Sequence, residues 1–251
     1  MSEAIRAEKV VKTFGKVTAL AGVSLEVAWG ETLGILGDNG AGKSTLIKIL
    51  TGYHQPDSGH VFVDGRPVRL ASVDSARAFG IECVYQDLAL VNGLSVYHNM
   101  FLNRELLRRG PFRLLDHKAM RRQAAAALAE IGVDVPSVAV AVGDLSGGQR
   151  QAIAVARAVH SNARILLLDE PLAAMGAREA QLIIGLIERL KARQDIAIVM
   201  IAHNYAQTLE VCDRVMLMQH GEVTFESAAA ATSAAQLLDI VRREYSAART
   251  G

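Results

Sequence analysis

The chain has little to cross-link it. Its two cysteines, Cys83 and Cys212, lie alone in apolar segments, which reads as buried free thiols and excludes a disulfide framework or a thiolate metal site. Neither sign of charge dominates: 27 Lys and Arg stand against 26 Asp and Glu, for a formal net charge of +1. That balance gives no electrostatic footprint for nucleic acid, and the pairs Arg108-Arg109, Arg121-Arg122 and Arg242-Arg243 read as solvated faces. Long apolar runs are missing too. Hydrophobic residues make up 51% of the chain, yet Ile165 to Leu168 and Ile196 to Ala202 are far shorter than the roughly 18 residues a membrane span needs. The start, Met1 to Arg6, mixes charges with no apolar segment behind them, so no secretory leader is read and a cytoplasmic site is expected. No internal repeat is visible.

What the chain does have is Gly37-Asp38-Asn39-Gly40-Ala41-Gly42-Lys43-Ser44-Thr45, which matches G-x-x-x-x-G-K-[ST] at every fixed position. Thr32 to Leu36 before it reads as a buried strand. After it, Leu46, Ile47, Ile49 and Leu50 fall at helical spacing, with Gly52 as the stop. Such a strand, loop and helix suits phosphate: the glycines let backbone N–H groups turn inward, and the opening helix adds its positive end. Lys43 is placed to neutralise β- and γ-phosphates, and the Ser44 hydroxyl to ligate Mg2+. The alternative is an ordinary glycine-rich turn.

Around this loop, Ile5 to Val11 and Val23 to Val27 alternate as antiparallel strands, with Gly15-Lys16 and Trp29-Gly30 as turns. Phe14, at the end of the first, reads equally as a base-stacking ring or a core aromatic. His60 to Val63, Asp64-Gly65 and Arg66 to Val68 form a hairpin by turn chemistry. A short helix fits Ser72 to Phe79, and the strand Ile81 to Tyr85 ends at Gln86, where α/β sheets place ligand contacts. From Asp87 to Gly143 the pattern turns helical, with Asp116 as an N-cap and Met120, Ala124, Leu128 and Ile131 on one face. Within the stretch from Asp87 to about residue 113, Leu90, Val91, Tyr97 and Phe101 read as exposed apolar residues suited to a docking groove, with core packing as the alternative.

Leu145-Ser146-Gly147-Gly148-Gln149 opens a second helix suited to anions. Four aliphatics, Ile165 to Leu168, then deliver Asp169 and Glu170 to a sheet edge. In a nucleotide site Asp169 can hold Mg2+ through water and Glu170 can deprotonate the attacking water; without the glycine loop a helix N-cap would be the favoured reading. The strand Ile196 to Ile201 ends at His203, which reads as a satisfied polar residue or, in this sheet, as a γ-phosphate contact. The element order predicts an α/β protein with a mainly parallel sheet.

These parts occur together and in order, and the chain resembles the ATPase subunit of an ABC transporter from about Ile5 to Phe225. The resemblance implies a P-loop NTPase core with an antiparallel β-subdomain and a helical subdomain. It places the ATP-binding core at about residues 1–86 and 160–226, the helical subdomain at 87–159 and a C-terminal helical tail at 227–251. Phe14 would stack on adenine, in place of the family's commoner Tyr, while Gly37 to Thr45 would bind the phosphates of ATP. Ser44, Gln86 and Asp169 would hold Mg2+, Glu170 would be the general base, and His203 would contact the γ-phosphate. Ser146, Gly147, Gly148 and Gln149 would act on ATP held by the other subunit of a homodimer.

The family's usual Asp is replaced by Gly176. That glycine, with Gly37-Asp38-Asn39, Tyr85 to Leu90, Asn99 to Glu105 and Ala202-His203-Asn204, is similar to subunits that drive uptake of ribose, xylose or fructose, some of which carry two tandem ATPase domains where this chain has one. A transmembrane permease and, indirectly, a secreted sugar-binding protein are then the expected partners, with the chain on the inner face of the membrane. The competing expectation is a soluble ABC ATPase that moves no solute, in cluster assembly or as a nucleotide-gated switch.

Overall fold

A computed structural model describes residues 2–110, 112–173 and 175–247. Residues 248–251, the end of the expected tail, lie outside it, as does Ala174 in the segment before Gly176.

The chain opens with a long hairpin, β1 (Glu3–Phe14) and β2 (Val17–Ala28), turning at Gly15-Lys16 as expected. It continues through β3 (Thr32–Leu36) into α1 (Lys43–Leu50), then β4 (Ser58–Val63), β5 (Arg66–Val68), α2 (Val73–Ala78) and β6 (Ile81–Val84). Next come α3 (Val96–Met100), α4 (His117–Glu130) and α5 (Gly147–His160). The remainder is β7 (Ile165–Asp169), α6 (Ala177–Ala192), β8 (Ala197–Ile201), α7 (Tyr205–Val211), β9 (Arg214–Gln219), β10 (Glu222–Ala228) and α8 (Ala234–Ala247).

Two sheets result. One has six strands in the order β10-β9-β3-β8-β7-β6, parallel throughout except for β10. The other is antiparallel, in the order β2-β1-β4-β5. Of the parallel strands, β7 and β8 are nearly continuous apolar runs because both of their faces are covered. In β3, β7 and β8 the side chains alternate between two cores. Leu33, Ile35, Leu167 and Val199 face the antiparallel sheet with Ile5 and Val27, and Leu36, Leu168 and Met200 face the helices with Leu186 and Leu190. Fully burying one such side chain stabilises by about 1.5–3 kcal/mol, so the two-sided core fixes the register of every strand that carries a loop to the site.

Capping sets the helix starts. Asp116 accepts from the Ala119 N–H at 3.0 Å, and Ser72 and Ser75 form a reciprocal capping box ahead of α2. Two expectations are corrected. Residues 87–143 are mostly loop, with the five-residue α3 and the fourteen-residue α4 as their α-helices. Tyr97 and Phe101 are buried, at 4% and 3% exposure, because α3 packs on α4 and α5; of the proposed apolar groove, Val91 stays exposed and Leu90 half-buried. Both thiols are free, and burial pushes that of Cys212 up to about 12, so neither is poised to react.

Candidate functional site

The carboxyl ends of the parallel strands bring Gly37, Gln86, Asp169, Glu170 and His203 to one edge of the sheet. Asp169 of β7 pairs with Ile201 of β8, which pairs in turn with Ile35 of β3. Gly37 lies two residues beyond Ile35, Glu170 one beyond Asp169, and His203 two beyond Ile201. Gln86 follows β6, whose Val84 pairs with Leu168. Ligands bind at this edge of open α/β sheets because the loops diverge there and leave a crevice.

The glycine loop is shaped by close packing. At Gly37 (φ +146°) a Cβ would lie 2.2 Å from the Met218 carbonyl oxygen, and at Gly42 (φ +99°) one would lie 2.4 Å from that of Ala19. Both positions therefore admit glycine alone. Gly221, in the turn between β9 and β10, closes the arrangement: its N–H donates to Ala41 O at 3.1 Å and its carbonyl accepts from the Ala21 N–H at 2.8 Å. Inside the loop the Lys43 ammonium donates to Gly37 O at 2.6 Å and Asp38 O at 2.9 Å. Burial lowers the Lys43 pKa, and the charges of Glu170, Asp38 and Asp169 act the other way. Gly42 caps α1 with no side chain, so the helix presents bare N–H groups and its positive end to the cleft.

That cleft, of about 320 Å³, is lined by residues 17–19, by 39–45 and, on its far side, by Glu170 and His203. Glu170 Oε1 and His203 Nε2 are 2.5 Å apart. The Glu170 backbone is left-handed, φ +52°, a conformation that costs a non-glycine residue about 1 kcal/mol and is held here by the bond from its N–H to Ile201 O at 3.0 Å. Burial and the Glu170 charge beside it raise the Asp169 pKa, against the pull of Lys43 and His203. Phe14 is exposed (43%) at the end of β1, edge-on to the His54 ring at 5.2 Å, outside the lining of the cleft. Gln86 and Asp169 also lie outside that lining. Ser44 (hydroxyl), Gln86 (amide) and Asp169 (carboxylate) supply hard oxygen donors of the kind Mg2+ takes. Among the described residues no cluster of three or more His, Cys, Asp or Glu could hold a metal by itself.

Ser146 to Gln149 stand apart from this cleft, at the N-terminus of α5. Ser146 Oγ accepts from Gln149 N–H at 3.3 Å, and Gln149 Oε1 from Ser146 N–H at 3.1 Å. The sequence reading missed two contributors: residues 17–19 of β2, which wall the cleft, and Glu179, which accepts from the Gly148 N–H at 3.2 Å. An acid in the first turn of a helix is a visible signal; its reach to a second helix is not. Gly176 caps α6 with no side chain, and a Cβ there would meet open space.

The ABC transporter family model matches residues 20–173. The chain is 41% identical to the xylose/arabinose import ATP-binding protein of Sulfolobus acidocaldarius, over 96% of this chain and 94% of that relative. It is 42% identical to the fructose import ATP-binding protein of Rhizobium meliloti, over 86% and 85%. It is 40% identical to the ribose import ATP-binding protein of Corynebacterium glutamicum over 88% of this chain, but spans only 41% of that longer relative. Among solved structures, an ATP-binding cassette of an ABC transporter in its ADP conformation superposes with a TM-score of 0.80 at 26% identity, over 91% of this chain and 92% of that one. A dimeric cassette in a post-hydrolysis state bound to ADP and Pi gives 0.74 at 26%, over 90% and 98%. With its glycine loop, acidic strand end and SGGQ helix start on the corresponding fold, this chain belongs to the ABC transporter family as an ATP-binding cassette.

Proposed function

We propose that this chain is the ATP-hydrolysing subunit of an importer for a simple sugar, working as a head-to-tail homodimer beneath a membrane permease that is fed by a sugar-binding protein. The observation that carries the hydrolytic part is the Glu170–His203 pair, 2.5 Å apart and facing the glycine loop across one cleft. The loop N–H groups and Lys43 hold the β- and γ-phosphates. Ser44, Gln86 and Asp169 would hold Mg2+, which would neutralise phosphate charge there. Glu170 takes the proton of the attacking water, and His203 keeps the carboxylate aimed while contacting the γ-phosphate. Phe14 stacks on adenine.

The signature residues Ser146 to Gln149 lie away from their own cleft, so they act on ATP held by a second copy. Two equivalent sandwiched sites follow, the simplest closed assembly for one kind of chain. Residues 1–86 and 160–226 form the ATP-binding unit, 87–159 the helical unit and 227–251 a tail. The absence, among the described residues, of a helix long and apolar enough to cross a membrane leaves transport to the permease. Identity of about 40% to sugar-import subunits over nearly the whole chain supports sugar as the cargo.

The test is reconstitution with the permease in vesicles. ATP should drive uptake of ribose, xylose or fructose, and Glu170→Gln should keep ATP binding while slowing hydrolysis roughly 10²–10⁴-fold. Near-normal turnover in that variant would remove Glu170 from the role of base.

A further inference from the structure

Glu179 occupies an unusual position. It is the third residue of α6, and its carboxylate lies against the N-terminus of α5, so two positive helix ends converge on one negative group. The Gly148 N–H donates to Oε1 at 3.2 Å. The contact is close-packed as well: a Cβ on Gly148 would lie 2.9 Å from the Glu179 Cβ, and one on Gly147 would lie 3.6 Å from Oε1. The Ser146 hydroxyl, whose oxygen accepts from Gln149, has its hydrogen left to give. Donation from the Gly148 N–H, the Ser146 hydroxyl and the N–H groups of Gly176 and Gly147 holds the Glu179 carboxyl below its usual range, so it is an anion at neutral pH. Gly176, with no side chain to cap α6, leaves this task to Glu179.

These donors belong to the residues that the proposed function sets against ATP held by a second copy, and a carboxylate and a phosphate cannot hold them together. We propose that Glu179 is a positioning residue of the signature: in the separate subunit its carboxylate holds the Gly148 N–H and Ser146 hydroxyl in the anion-binding arrangement, and it yields them to the partner's ATP on closure. After hydrolysis the carboxylate reclaims them, which favours reopening. The inference rests on the head-to-tail reading.

The closing experiment is an ATP titration of dimer formation by light scattering, with Glu170→Gln as the parent to block turnover. Adding Glu179→Gln, which keeps the shape and weakens the competing hydrogen bonds, should lower the ATP concentration at half-maximal association roughly three- to tenfold and slow dissociation on chelating Mg2+. In the hydrolysing chain the same change should lower KM and kcat together, and Glu179→Asp should restore both towards wild type. A role confined to holding the fold predicts the opposite: a raised midpoint, with KM raised or unchanged. An unchanged or raised midpoint overturns the proposal. If the Glu170→Gln parent itself stays monomeric at saturating Mg·ATP, the head-to-tail reading fails and the Glu179 proposal falls with it.

Discussion

Lys43→Ala separates two jobs that one side chain performs. Lys43 is 5% exposed and its ammonium is bonded to the carbonyls of Gly37 and Asp38, so it braces the loop before any phosphate arrives. Charge-assisted hydrogen bonds are worth about 1.5–3 kcal/mol each, and tenfold in affinity is about 1.4 kcal/mol. One lost bond to phosphate thus predicts a Kd for ATP raised roughly 10- to 150-fold. The lower half of that range is expected, because wild-type Lys43 must loosen its carbonyl bonds to reach the ligand. The bracing has its own signature. Two loop carbonyls lose their partner, and a shortfall of about 1–3 kcal/mol in a domain of this size shifts Tm down by roughly 2–10 °C without nucleotide. Titration with a fluorescent ATP analogue reads the first quantity and calorimetry of the free protein the second. Binding within twofold of wild type together with an unmoved Tm would refute both parts.

Asp169 sits in an environment that disfavours its charge, through burial first and then Glu170. A folded pKa above the unfolded value means that stability is lost as pH rises from the unfolded pKa through the raised folded one. Asp169→Asn should therefore raise Tm at neutral pH relative to wild type while lowering Mg2+-dependent hydrolysis; a lowered Tm would contradict the assignment. Gly176→Asp restores the family's usual residue where φ is −69° and a Cβ meets open space, and as an N-cap it should add a few tenths of a kcal/mol, about 1 °C in Tm. Leu90→Asp with Val91→Asp should leave basal ATPase intact and abolish sugar uptake in the reconstituted system, whereas loss of folding would assign both residues to the core.

Most of the site could be read from local sequence because its parts are local: a glycine loop between an apolar strand and a helix, two acids ending an aliphatic run, a serine capping a glycine-started helix. β3, β7 and β8 were legible because burial on both faces demands mostly apolar residues. Long-range placement was less visible. Tyr97 and Phe101 are apolar residues of a five-residue helix and its C-cap, too short to show a periodic face, and the packing of α3 on α4 and α5 makes them core. Asn99, fully buried, uses its amide to bind the Val91 backbone on both sides and the carbonyls of Leu94 and Ser95, which organises a loop where a helix was expected. The reach of Glu179 to Gly148 joins residues 31 positions apart and has no periodic trace.

The peptide units of Gly221 and Met218 press on a loop encoded some 180 residues earlier. Contacts of such separation are slow to form, since the intervening chain must first be brought together. A nascent chain emerges at about 5–20 residues per second, so the phosphate loop waits on the order of ten seconds or more for the strand turn that gives it shape. A chain cut before residue 218 would carry every residue of the glycine motif and still lack the site.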